Sequence, residues 1–258
     1  MPQIENGQNE RLLEPGRFEI PPHIHVCVTG TGSVILDVKR DKYLGLGCDE
    51  TELLSGTVTG WPSPLWQTSA PCDAEASRRA TDDLCELLVA DGVLEWTGEA
   101  KKGRAVAALR DMKAEWISIG DELEVTGRMT LRHIANFLSA YVWARYSLAW
   151  RPFSLVVEEV TATKLRRVLD LDRCHIRRVS AIVDIFRRLR PFAFAAEGHC
   201  LLHALTLMRF LSKYQFHPQW VIGVTTQPWG AHSWVQWDNF LLDSNPEKVC
   251  GYTPIMMV

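Results

Sequence analysis

Apolar and polar positions alternate with two different periods along this chain, and the change of period divides it. Ile24, Val26 and Val28 alternate with polar neighbours, Gly30-Thr31-Gly32 interrupts, and Val34 to Val38 resumes before an Arg40-Asp41-Lys42 turn. That pattern predicts a hairpin or short meander. Glu50 to Leu54 predicts a short helix, and Pro62, Pro64 and Pro71 mark an irregular loop. Asp73 then caps a predicted helix with Ala76, Ala80, Leu84, Leu87 and Leu88 on one face, which stops at Asp91-Gly92 before a short strand, Val93 to Trp96. Residues 21–98 are therefore expected to form a small winged-helix-like module, preceded by a flexible N-terminus over 1–20.

Residues 99–104 are charged, contain Gly103 and lack apolar periodicity, so they are the expected linker to a second domain over 105–258. Helices are predicted there over 105–118, 130–150, 160–170 and 176–190. In the second of these, Ile134, Phe137, Leu138, Tyr141, Val142 and Leu148 are spaced for a buried face. After Pro191 the pattern becomes one helix, Cys200 to Lys213, and then strands at Trp220 to Thr225, Ser233 to Trp237 and Phe240 to Leu242, with Asp238-Asn239 as a tight turn. The fold class is α+β: a winged-helix-like module, then a helical subdomain and a small antiparallel sheet.

Candidate chemistry lies in that last third. Cys200 follows Gly198-His199 at a predicted helix start, where free backbone N–H groups and the helix dipole favour a thiolate and offer donors to an oxyanion. His232 opens a later strand and Asp243 ends the next. A thiolate attacks a carbonyl, an imidazole takes and returns the proton, and a carboxylate holds the imidazole in the useful tautomer, so the order Cys, His, Asp points to a cysteine hydrolase or acyltransferase. His199, Cys200, His203 and His232 are also potential zinc ligands, with His199 and His203 at i, i+4. Zinc would consume the thiolate that hydrolysis requires, so neither metal nor cofactor is expected in this chain.

Composition narrows the class. An apolar content of 47% and a net charge of −3 describe an ordinary globular protein and imply no nucleic-acid partner. The longest nearly apolar run, Ile134 to Ala144, is too short to cross a bilayer, so no membrane insertion is expected. Met1 to Arg17 lacks the pattern of a signal peptide, and the seven cysteines form no CxxC pair, so reduced thiols and a cytoplasmic location are expected. Lys164 to Arg190 carries nine Lys or Arg against three acids, either a solvated face or a docking surface for an acidic peptide or a partner enzyme.

The string Val221-Ile222-Gly223-Val224-Thr225-Thr226-Gln227-Pro228-Trp229, then Ala231-His232-Ser233-Trp234-Val235-Gln236 and Tyr252-Thr253-Pro254-Ile255, resembles the B proteins of lasso peptide biosynthesis. The resemblance is concentrated over about 195–255. It implies a transglutaminase-like, papain-related cysteine protease domain, often preceded by a winged-helix-type element that recognises the precursor leader. It further implies removal of the leader from a lasso precursor peptide and delivery of the core to an asparagine-synthetase-like cyclase, which uses ATP to close the macrolactam. Carried over, the nucleophile falls on Cys200 and the base on His232. The third position falls on Asp243 with a one-residue shift, or on Ser244 without one, and Asp238 is a further candidate. Asp243 is preferred because a serine cannot supply the full charge that stabilises an imidazolium. A non-hydrolytic scaffold of the same fold, delivering the peptide to another enzyme, is the alternative.

Overall fold

A computed structural model of the chain describes residues 18–64, 66, 74–97, 116–119, 126–164, 173–194 and 198–258. The first part runs through β1 (Phe18–Glu19), β2 (Ile24–Thr29), β3 (Gly32–Asp37), β4 (Lys42–Leu46), α1 (Cys48–Ser55), β5 (Val58–Thr59), α2 (Ala74–Ala90) and β6 (Glu95–Trp96). The expected meander is an antiparallel sheet in the order β2-β3-β4. A smaller sheet, β5-β1-β6, lies in the segment as well. Phe18 is only 1% exposed and stacks edge-on against Trp96, so the terminus expected to be flexible over 1–20 is already a paired strand at 18–19.

Within the β2-β3-β4 sheet, β3 is buried on both faces, whereas the outer strand β4 is largely exposed. A strand turns successive side chains to opposite sides. On β3, Ile35 joins Ile24, Val26, Leu54 and Leu88 in one apolar cluster. Val34 and Leu36, with Val38 and Cys27, join a second cluster that also contains Phe137, Phe186, Phe210 and Trp220 from the rest of the chain. The two halves thus share a core rather than meeting across a bare linker. An isolated 18–97 fragment would expose Cys27, Val34, Leu36 and Val38 together, and such a patch favours association. The fragment is expected to elute from size exclusion as oligomers, and Val34→Asp in the fragment to restore a monomer.

The second part contains β7 (Ile117–Ser118), α3 (Leu131–Trp150), α4 (Phe153–Lys164), α5 (Arg173–Leu189), α6 (Cys200–Ser212), β8 (Gln219–Thr226), β9 (Trp229–Trp237), β10 (Phe240–Leu241), α7 (Pro246–Val249) and β11 (Thr253–Met257). Its sheet has the order β11-β8-β9-β10-β7, antiparallel except where β7 pairs parallel with β10. Ile117–Ser118 corrects the predicted helix 105–118: its backbone serves as the outer strand, a long-range pairing that local periodicity does not encode. The rest of that helix, the linker 99–104, the Asp73 cap and Pro71 lie outside the described residues. The helix predicted over 160–170 begins earlier, at Phe153, just after Pro152, and is described to Lys164.

α6 is the central helix. Ala204, Leu205, Thr206, Leu207, Met208, Phe210 and Leu211 are all buried, as expected of a helix apolar around most of its circumference. α3 packs against it through Phe137, Ala140, Ala144 and Ser147. Leu138 and Val142, expected on the buried face, are 53% and 63% exposed. Both sides of α3 carry apolar residues, and the close approach to α6 selects the side that offers two alanines.

Candidate active site

Cys200 is the first residue of α6, and the chain enters it through Gly198, whose φ of +108° suits glycine. No side-chain cap closes the helix start at His199, so the N–H groups of the first turn remain available as donors. One turn on, His203 lies on the same side of the helix as Cys200, since residues three apart are neighbours there. Its ring packs between Phe186 and Phe194, with centroids 5.3 and 5.0 Å away.

Asp243 follows β10, and its carboxylate is almost fully buried. Arg187 Nε and Arg190 Nη1 approach Oδ1 at 3.7 and 3.5 Å, and His203 Nε2 lies 2.8 Å from Oδ2. The His203 approach is short but out of line with the ring N–H, so neither atom has a hydrogen bond of good geometry. Arg187 also donates to the Leu242 carbonyl at 3.0 Å. Arginines of the basic stretch therefore turn inward to anchor the end of β10, and the side chains of 165–172 lie outside the described residues. Burial pushes the Asp243 carboxyl up to about 7, with Arg190 and Arg187 opposing the shift.

His232 lies on β9 opposite Gly223 of β8. Its ring stacks on Trp234 at 6.1 Å and tilts over Tyr252 at 5.2 Å, and its buried Nε2 has no hydrogen-bond partner. Burial, then the charge of Lys248, lowers its pKa from the ordinary value. The charge of His232 in turn reaches His203, whose pKa is pushed down to about 3 by burial, Arg190 and His232 in that order. Gly223 makes room for this stack: a Cβ there would lie 2.7 Å from the Trp234 ring and 3.0 Å from Tyr252 Cβ. Gly223→Ala is expected to cost about 1–3 kcal/mol, the usual scale of overpacking, and to tilt the ring under His232. Urea midpoints and tryptophan near-UV dichroism measure both effects.

The structure thus brings Asp243 to His203 rather than to His232, against the expectation that Asp243 orients the base directly. Among the described residues no hydrogen bond joins Cys200 to His232 or His232 to Asp243. Asp238 occupies the β9–β10 turn with φ +52° and lies six residues beyond His232, roughly 20 Å along an extended strand, so it does not serve His232. Ser244 follows Asp243 outside any strand. His203, Arg187 and Arg190 were not expected as partners of the carboxylate. The i, i+3 spacings of Cys200 with His203 and of Arg187 with Arg190 were the available signals. Among the described residues, no three His, Cys, Asp or Glu side chains gather as a metal site.

Residues 138–257 match the model of the transglutaminase-like superfamily. This stretch is a transglutaminase-like domain. It begins within α3 and runs to the penultimate residue of the chain, so it encloses Cys200, His203, His232 and Asp243. A transglutaminase-like domain is compatible with cysteine-protease-like chemistry, in which a thiol at a helix start attacks an acyl group. No curated protein and no solved structure matches the chain. No helix among the described residues is long and apolar enough to cross a membrane.

Proposed function

We propose that this protein is a cysteine endopeptidase of the cytoplasm that removes the leader from a ribosomally synthesised lasso precursor peptide and passes the core to an asparagine-synthetase-like, ATP-dependent macrolactam cyclase. The observation that carries the reading is Cys200 at the uncapped start of the central helix of a transglutaminase-like domain. In the reaction, the Cys200 thiolate attacks the scissile carbonyl and the first-turn N–H groups of α6 receive the oxyanion. His232 takes the thiol proton and returns it to the leaving amine, so the peptide C–N bond breaks as the thioester forms. His232 then deprotonates the water that hydrolyses the thioester. Burial favours its neutral form, the one able to accept a proton.

Asp243 is the acidic member of the site. It acts through His203, with Arg187 and Arg190 fixing its position, so it is a positioning residue. Catalytic hydrogen bonds are often long in free enzymes and tighten when substrate binds, which accommodates the open arrangement of Cys200 and His232. The N-terminal segment, about 21–98, is the leader-recognition element and takes the leader as an added strand on a sheet edge. Incubation of the full chain with a precursor peptide, read by mass spectrometry, tests the reading. The expected products are free leader and free core. An intact precursor, with Cys200 alkylated by iodoacetamide no faster than an ordinary exposed thiol, would establish the non-hydrolytic scaffold instead.

A further inference from the structure

α3 is apolar on two sides, and α6 covers one of them. Phe137, Ala140, Ala144 and Ser147 are buried there, whereas Leu131, Leu138, Val142, Tyr146 and Trp150 are exposed, Leu131 and Trp150 to 84% and 78%. Spacings of seven and four residues put these five on one side of a helix about 30 Å long. The exposed Ala135, Ser139 and Ala149 lie among them. Together they present on the order of 800 Å² of largely apolar surface, more than a monomer usually exposes in one patch and as much as each partner of a stable interface buries.

A two-fold axis at Val142, with a second copy laid antiparallel, fits this face to itself. Residues equally far before and after Val142 then fall level across the seam: Leu138 with Tyr146, Ala135 with Ala149, and Val142 with Val142. The alanines at both ends allow the helices to approach to about 8 Å, the close end of the range for packed helices. The charges fit as well. α3 has no Asp or Glu, and its arginines are Arg132 and Arg145. Three residues off the axis, Arg145 stands about 9 Å along the seam from its own copy. Arg132 shares a flank of the helix with Trp150, so in the antiparallel pair it falls beside the exposed Trp150 of the second copy. There its guanidinium meets an indole and the negative end of a helix whose last turn has no basic residue. A parallel pair would instead set each arginine level with its own copy.

We infer that α3 is the interface of a homodimer: two copies of the chain pack antiparallel through Leu138, Val142 and Tyr146, with Arg132 of each against Trp150 of the other. Removal of these apolar side chains from water drives the pairing. The face lies on the side of α3 away from α6, so the seam does not cover the helix that carries Cys200.

Sedimentation equilibrium of the full chain at about 50 μM, above the micromolar affinities at the weak end for interfaces of this size, is expected to give twice the single-chain mass of 29.2 kDa. Val142→Asp sets two carboxylates face to face on the axis and is expected to give the single-chain mass at the same concentration. Its far-UV circular dichroism should match wild type, because position 142 is exposed. Val142→Cys is expected to form a disulfide with its own copy under mild oxidation, located by peptide mass. Leu131→Cys, about 33 Å along the seam from its copy, is not. A single-chain mass for wild type overturns the dimer, whether the face then binds lipid vesicles or a different protein. A dimer that survives Val142→Asp overturns the α3 seam, and a Leu131→Cys disulfide overturns the antiparallel register.

Discussion

Under the proposed function, Cys200→Ala is expected to abolish precursor cleavage, with a loss of single-turnover rate on the order of a thousandfold or more, because the thiol at the start of α6 is the group that would form the thioester. Leader binding is expected to persist in this variant, since the proposed recognition edge belongs to the N-terminal sheet. Fluorescence anisotropy with a labelled leader separates the two effects. His232→Ala is expected to be nearly as severe, because the thiol then lacks the group that takes its proton and returns it to the amine. Retained cleavage by Cys200→Ala would falsify the assignment of the nucleophile.

Asp243→Asn is expected to slow cleavage by on the order of a hundredfold, the scale of a misplacement of about 1 Å, rather than the roughly ten-thousandfold of a catalytic imidazole trapped in the wrong tautomer. The distinction follows from geometry: Asp243 lies against His203, Arg187 and Arg190, whereas the His232 ring lies against Trp234 and Tyr252. Ser244→Ala is expected to stay within about twofold of wild type, the scale of a substitution outside the reacting set. A loss near ten-thousandfold for Asp243→Asn would mean that the carboxylate contacts His232 during turnover.

The same variant has a pH signature. The fold raises Asp243 from 3.8 to about 7, so its contribution to stability falls as pH rises between those values. It lowers His203 from 6.5 to about 3, so that contribution rises with pH over an overlapping range. In the wild type the two oppose one another between about pH 4 and 6.5, where folding gains one proton and loses one. Asp243→Asn removes the gain, and stability should then climb with pH, by up to about 1.4 kcal/mol per unit. Urea midpoints at a series of pH values measure the slope. A variant whose slope matched wild type would show that His203 is not held neutral by its surroundings.

The predicted elements that held are those written in local periodicity. Cys200 to Lys213 is helical within a residue because apolar positions recur around a full helix, and β8 and β9 follow from β-branched and aromatic runs broken by Pro228 and by Asp238-Asn239. β11 has no clear local signal, since Pro254 lies inside it and proline confines a strand to an edge position, which is where β11 lies. Val34 to Val38 was expected only to complete a hairpin or short meander, and its burial on both faces came from packing between the two halves.

By itself, then, the sequence determined the α+β alternation, the helix that presents Cys200 and the strand that carries His232, because each is set by neighbours within a few residues. Tertiary structure alone decided which face of α3 is buried, that the two halves share a core across β3, and that Asp243 turns to His203. These depend on contacts between residues tens of positions apart. Asp243 and His203 are forty residues apart in sequence, and Arg187 and Arg190 come from yet another helix and turn. A buried carboxylate requires compensating charge, and only the packing of α5, α6 and β10 determines which cations and imidazoles lie close enough to supply it.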